Sequence, residues 1–204
     1  MPQIRVRVKR QKQILVHNDL SNAGYYFYKR IGERIKNDDR EGVGLEMMAC
    51  LMMIAFSIEA KANFLGWKLS PKKWDEGKPT KEKLKLVAKQ LGVKIDFGKR
   101  PYLTVTSLKT FRDEIAHGKP IERSTDDEEV IERDKLDRYD PLTADWDKFL
   151  TTDFLDQAYG DVNAIWLGLL GAANLNVYET LTQGSSSFEL IEHIPAAKPK
   201  TVAI

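Results

Sequence analysis

The feature that most constrains this fold is a long apolar segment, residues 45–67. Gly42 precedes the segment, and Gly66, Ser70 and Pro71 close it, which are residue types found at helix ends and turns. Apolar side chains recur along it at helical spacing, and a helix with so many apolar positions must be buried by other elements. The segment therefore predicts a central core helix around which the rest of the chain is organised.

Several other regions also show the apolar spacing of an amphipathic helix. They are residues 19–35, about 80–91 and 102–117, and residues 146–182, which fit one long helix or two shorter ones. We therefore expect a fold that is mainly all-α, a helical bundle of about four to six helices.

The two ends of the chain and one internal stretch do not fit this helical pattern. Residues 1–18 are expected to form a basic arm or short strand, because apolar and basic residues alternate over residues 4–8, and such an arm could also join two subunits. Residues 19–183 are expected to form a single helical domain with an acidic insertion at 121–145. Residues 184–204, rich in serine and ending near two prolines, are expected to be a flexible C-terminal tail.

Composition excludes several classes of protein. The single cysteine, Cys50, lies in an apolar run, so the chain cannot build a disulfide framework or a cysteine-based zinc site. The three histidines are far apart in sequence, and no standard phosphate loop or hydrolase motif is present, so we expect no metal and no cofactor. No apolar stretch is judged long enough for a membrane helix, and the N-terminus lacks the apolar core of a signal peptide. We expect a cytoplasmic protein without a membrane partner.

The net charge of +2 conceals a marked asymmetry along the chain. Residues 5–12 hold five basic residues and no acid, and residues 68–100 hold eleven Lys or Arg against four acids. Residues 122–161 reverse the sign, with fourteen acids against five basic residues. The basic segments could face a polyanion such as RNA, or they could be solvated surfaces that attract the acidic segment or a second subunit.

Two polar residues of the predicted core helix stand where the pattern requires apolar ones. Glu59 continues the line of Leu45 and Met52 at intervals of seven, and Asn63 continues the line of Phe56. In the fourth predicted helix, Arg112 falls among the apolar positions, so its guanidinium needs an acceptor. We predict that Glu59 pairs with Arg112, either as a structural ion pair or as the inner support of a site.

His117 lies near the end of the same predicted helix, five positions after Arg112. On an ideal helix the two side chains do not share a face, whereas Asp113, four positions before His117, does. Asp113 is therefore expected to orient the imidazole. A histidine in the last turn, followed by Gly118 and Pro120, is also what an ordinary helix end contains.

The phrase Phe-Arg-Asp-Glu-Ile-Ala-His-Gly, residues 111–118, resembles the Arg-x4-His signature of the HEPN superfamily of helical proteins. The upstream phrase Phe-Ser-Ile-Glu-Ala-Lys-Ala-Asn-Phe-Leu, residues 56–65, is similar to that family's preceding core helix. The resemblance covers about residues 44–120. It departs from the family at Asp113, where Asn is common.

The resemblance implies a metal-independent endoribonuclease of a toxin, toxin–antitoxin or phage-defence type, acting as a homodimer with two motifs facing each other. Arg112 would then bind the scissile phosphate, His117 would act as general base or acid, and Asp113 would orient His117, with Glu59 and Asn63 in support. The alternative is a catalytically inactive module of the same fold that dimerises or binds a protein, an antitoxin or a nucleotide. A small DNA-associated regulator ranks third, since no helix-turn-helix pattern is recognisable.

Overall fold

The computed structural model describes residues 3–126, 128–133 and 142–194. The chain divides into two compact units. One is helical and spans Val16–Thr180, and the other combines the two ends of the chain, of which residues 3–15 and 181–194 are described.

Five α-helices are present among the described residues of the helical unit. They are α1 (Val16–Lys36), α2 (Val43–Leu69), α3 (Thr80–Leu91), α4 (Tyr102–Ala116) and α5 (Thr152–Ala172). Short 3-10 helices at Asp147–Phe149 and Val177–Thr180 flank α5. The expected mainly helical fold is confirmed, and the predicted helix at 146–182 is a single α-helix between two tighter turns.

Helix α2 is the centre of the helical unit, as predicted, and contacts each of the other four helices. Leu51, Ile58 and Leu65, spaced seven apart, are at most 2% exposed. Burying each large apolar side chain of this kind stabilises the fold by roughly 1.5–3 kcal/mol. The other helices contribute fully buried partners, which include Ile31, Leu84, Val87, Leu108, Phe111 and Leu169.

Helix α2 is also long and apolar enough to cross a membrane, so the expectation that no segment reaches this length is wrong. The core helix of a soluble protein meets the same criterion, and much of α2 is buried against the other helices. A soluble protein is compatible with this packing.

The segment between α2 and α3 is held to the helix by Trp74. A Cβ atom added to Gly66 would lie 2.2 Å from the Trp74 ring, so only glycine lets the ring pack against the helix there. The indole Nε1 of Trp74 donates a hydrogen bond to Asn63 Oδ1 at 3.2 Å. Gly66 was predicted to close the helix, but it lies within α2 and serves this contact instead.

The terminal unit is a two-stranded antiparallel sheet of β1 (Gln3–Gln13) and β2 (Gln183–Ile194). Its register pairs Gln3 with Ile194 and Gln13 with Gln183. The expected basic arm is therefore a paired strand. Residues 184–194, expected to be part of a flexible tail, instead form most of β2 and pair with β1 through the backbone, and residues 195–204 lie outside the described residues.

Part of the expected acidic insertion at 121–145 can be compared with the structure. Residues 121–126, 128–133 and 142–145 are described and contain no α-helix or β-strand. Arg123 Nη2 lies 2.5 Å from Asp145 Oδ1, so an exposed ion pair links the two described portions.

Candidate functional site

The predicted ion pair between α2 and α4 is present. Arg112 Nη1 donates a hydrogen bond to Glu59 Oε2 at 2.9 Å. The helical wheel predicted this contact because both residues interrupt apolar lines on facing helices. About one fifth of the Arg112 side chain, 21%, remains exposed, so the pair lies at the edge of the core.

Glu59 is the centre of a larger network, and two of its partners were not predicted. Lys83 Nζ lies 2.7 Å from Glu59 Oε1, and the Thr80 hydroxyl donates to Oε2 at 2.8 Å. The Lys83 side chain is only 1% exposed. It was counted with the basic surface, although its position four residues before the buried Val87 places it on the apolar side of α3.

The charge of Glu59 is stabilised by these partners. Burial alone would raise its pKa, but hydrogen bonds from Lys83 and Thr80 and the positive charges of Lys83 and Arg112 together hold the pKa below its usual value. Glu59 is therefore ionised at neutral pH. It compensates the buried Lys83 and anchors one edge of the Arg112 guanidinium.

Asp113 contacts Arg112 and Lys109, not His117. The Arg112 Nε and Nη2 atoms donate to Asp113 Oδ1 at 3.1 and 2.8 Å, and Lys109 Nζ forms a short ion pair with Oδ2. Burial opposes ionisation of Asp113, but these two cations outweigh it and lower its pKa. The expectation that Asp113 orients the imidazole of His117 is therefore not met.

The reason lies in the geometry of the helix end. Helix α4 ends at Ala116, and His117 has φ −117° and ψ 18°, so it no longer follows the helical wheel. Its backbone N–H donates to Asp113 O at 3.0 Å. A Cβ on Gly118 would lie 3.0 Å from Glu114 O, which favours glycine at this turn. The His117 side chain is exposed and forms no hydrogen bond with any residue that the structure describes.

Asn63 does not join the other predicted site residues. Its Oδ1 accepts the hydrogen bond from Trp74, so its role is to fix the segment between α2 and α3. The structure thus brings Glu59, Arg112 and Asp113 together and leaves Asn63 and His117 apart from that network.

The network retains capacity to bind an anion. Three cations, Lys83, Lys109 and Arg112, contact two carboxylates, Glu59 and Asp113, which leaves one excess positive charge. Arg112 uses three of its N–H groups in the contacts above, and a guanidinium carries five. The two remaining N–H groups could bind a phosphate oxygen without breaking the network.

The side chains suited to binding a metal ion are dispersed. Within the described part of the chain, no three His, Cys, Asp or Glu residues are grouped so that they could hold a metal ion.

Comparisons of the chain with models of protein families, with curated proteins and with solved structures yield no match.

Proposed function

We propose that this chain is a HEPN-like, metal-independent endoribonuclease of a toxin or defence type, acting as a homodimer in the cytoplasm. The observation that carries the proposal is Arg112, which two carboxylates hold in place while it keeps two N–H donors and a partly exposed side chain. A pre-oriented guanidinium of this kind is suited to the transition state of phosphoryl transfer, where negative charge develops on the phosphate.

Lys109 removes an objection to this role. Asp113 would repel a phosphate bound at Arg112, but its ion pair with Lys109 neutralises the carboxylate. The basic residues of segment 68–100 and of β1 are additional charges that attract the backbone of an RNA strand.

In the proposed reaction, His117 accepts the proton of a ribose 2′-hydroxyl as its oxygen attacks the adjacent phosphorus. The bond from phosphorus to the 5′-oxygen breaks, and that oxygen takes up a proton from the protonated His117 of the other subunit. The products are a 2′,3′-cyclic phosphate and a 5′-hydroxyl end. Since His117 is not linked to Arg112 within one chain, His117 of a second subunit is the natural partner.

The test is cleavage of a mixed-sequence single-stranded RNA in the presence of EDTA. His117→Ala should lower the rate by roughly 10²–10⁴, the usual contribution of general acid–base catalysis. His193→Ala, which removes an exposed histidine from β2, is the matched control and should cleave like the parent. Cleavage by His117→Ala at the parent rate, or no cleavage by the parent, would exclude this function.

A second candidate is a catalytically inactive HEPN-like module for dimerisation or for binding a protein, an antitoxin or a nucleotide. The observation favouring it is that Arg112 is already paired with Glu59 and Asp113. An RNA-binding or dimeric protein that leaves RNA intact would support this alternative.

A further inference from the structure

A cavity of about 220 Å³ opens between α1, α2 and α5. Its polar lining consists of Ser21, Asn22 and Tyr25 from α1, Ser57 and Lys61 from α2, and Tyr159 and Asn163 from α5. An apolar protein cavity of about 150 Å³ can already bind benzene. A space of this size is therefore large enough for a small organic molecule.

The cation in this cavity, Lys61, has no counter-charge among the residues that the structure describes. Lys61 is only 4% exposed, yet within the described ranges no residue forms an ion pair or hydrogen bond with its ammonium group. Lys61 Nζ lies over the face of the Trp166 ring, 5.7 Å from its centroid. Burial of an uncompensated charge is costly, so an anion reaching Lys61 would stabilise the site.

A second polar group of the cavity also lacks a partner among the described residues. Ser21 lines the cavity, and its buried hydroxyl oxygen forms no hydrogen bond within the part of the chain that the structure describes. The nearby Ser57 hydroxyl donates to Ile54 O at 2.9 Å and is already satisfied. Buried hydroxyl groups are normally hydrogen-bonded, so the free Ser21 hydroxyl is a second observation that points to a missing polar ligand.

The remaining walls of the cavity are apolar or aromatic. The rings of Tyr25 and Tyr159 lie 6.1 Å apart, centroid to centroid, with planes inclined by 29°. Ile54 and Val162 complete this side. Aromatic rings and aliphatic side chains favour a flat, apolar molecular body, while the single cation favours one negative group.

We propose that this cavity binds a small organic carboxylate, with its anionic group on the Lys61 ammonium and the Ser21 hydroxyl and its apolar body along the two tyrosines. The inference does not rest on the nuclease proposal. Glu59 faces α3 and α4, whereas Lys61, two positions later, lies roughly 200° around α2 and faces α1 and α5.

The electrostatics of Lys61 agree with this assignment. Burial lowers its pKa to about 8, so the amine still carries its proton at pH 7 while losing much of its solvation. A carboxylate bound there would exchange weak solvation for a charge-assisted hydrogen bond, which is among the stronger polar interactions in proteins.

The test is isothermal titration calorimetry of the full chain at pH 7 with benzoate, its neutral analogue benzamide, and inorganic phosphate. Benzoate should bind at least about tenfold more tightly than benzamide, as expected for a hydrogen bond to a charged group. Benzoate should also bind more tightly than inorganic phosphate, because phosphate lacks the apolar body. Equal binding of benzoate and either comparison compound, or no binding of benzoate, would overturn the proposal.

Two variants locate the site. Lys61→Met keeps an unbranched side chain of similar length without the charge, and should weaken benzoate binding by at least about tenfold. Lys68→Met is the matched control, because Lys68 is also on α2 and lies 5.9 Å from the centroid of the Phe64 ring, but is exposed. Benzoate binding that survives Lys61→Met, or is lost equally in Lys68→Met, contradicts the assignment. The comparison of benzoate with benzamide uses only the parent chain, so it tests the proposal even if Lys61→Met does not fold.

Discussion

The two sides of helix α2 differ in how their buried charged residues are paired. On the side facing α3 and α4, Glu59 accepts hydrogen bonds from Thr80, Lys83 and Arg112. On the side facing α1 and α5, Lys61 is almost fully buried, and its ammonium group lies over the Trp166 ring without an ion pair or hydrogen bond to any described residue. On the first side the buried cation, Lys83, has a carboxylate partner. On the second side the buried cation, Lys61, has no carboxylate partner among the described residues, which is the condition expected of a binding site.

The largest expected effect comes from breaking the ion pair between Glu59 and Lys83. Glu59→Gln leaves the Lys83 ammonium buried without its carboxylate, and removing one partner of a buried ion pair costs about 3–5 kcal/mol. Urea unfolding at pH 7 measures the loss. Glu82→Gln, an exposed change on α3, should alter the free energy of unfolding by only about 0.5 kcal/mol.

A second substitution sharpens that result. Adding Lys83→Met to Glu59→Gln removes the stranded cation and should recover part of the lost stability. If Glu59→Gln lowers the free energy of unfolding by less than Glu82→Gln does, the network does not stabilise the fold. The contrast between the two sides of α2 then fails.

The next effect concerns His17 of α1, which packs against the Trp166 ring and is close enough to feel the charge of Lys61. Burial and the nearby Lys61 charge lower its pKa to about 4, against weaker opposing effects of the Thr180 backbone and Asp19. As the pH falls, His17 therefore becomes protonated near pH 6.5 in the unfolded chain but only near pH 4 in the folded chain. The resulting stability is fully present above pH 6.5, and roughly 3 kcal/mol is lost as the pH falls to 4.

The pH dependence can be assigned with a pair of histidine variants. His17→Phe should abolish the loss of stability between pH 6.5 and 4, because it removes the titrating imidazole. The phenylalanine ring can retain the contacts with the Phe64 and Trp166 rings, whose centroids lie 4.8 and 5.3 Å from that of His17. His193→Phe, at an exposed position of β2, should leave the profile unchanged. Thermal unfolding followed by circular dichroism across this range measures both, and identical profiles for the two variants would refute the assignment to His17.

The last effect has the opposite sign. Lys61→Met should increase the free energy of unfolding at pH 7 by about 3 kcal/mol, because burial lowers the pKa of the amine from 10.5 to about 8 and its charge therefore destabilises the folded state. Above pH 8 the parent amine loses its proton, so the advantage of the variant should shrink as the pH rises toward 10.5. Urea unfolding at pH 7 and 10 measures this trend, with Lys68→Met as the control, and a destabilised Lys61→Met protein would contradict it.

Sequence patterns predicted the helices and the Glu59–Arg112 pair because both depend on helical periodicity within long regular segments. The same patterns missed Lys83 and Lys61, because a lysine is ordinarily assigned to the surface unless its position on the helical wheel is weighed against its charge. The error at His117 came from extending the wheel one residue beyond the end of α4. Strand β2 was missed because its partner lies at the opposite end of the chain.

That strand pairing has a consequence for the order in which the protein forms. Arg7 and Glu189 are 182 positions apart, so during translation β1 leaves the ribosome long before its partner exists. At ordinary elongation rates of about 5–20 residues per second the wait is roughly 10–40 s. An isolated strand is a hazard for aggregation, and the five basic residues between positions 5 and 12 are the kind of charge that protects an unpaired edge. The nascent helical unit can therefore assemble first, and the two strands can pair only after β2 has been synthesised.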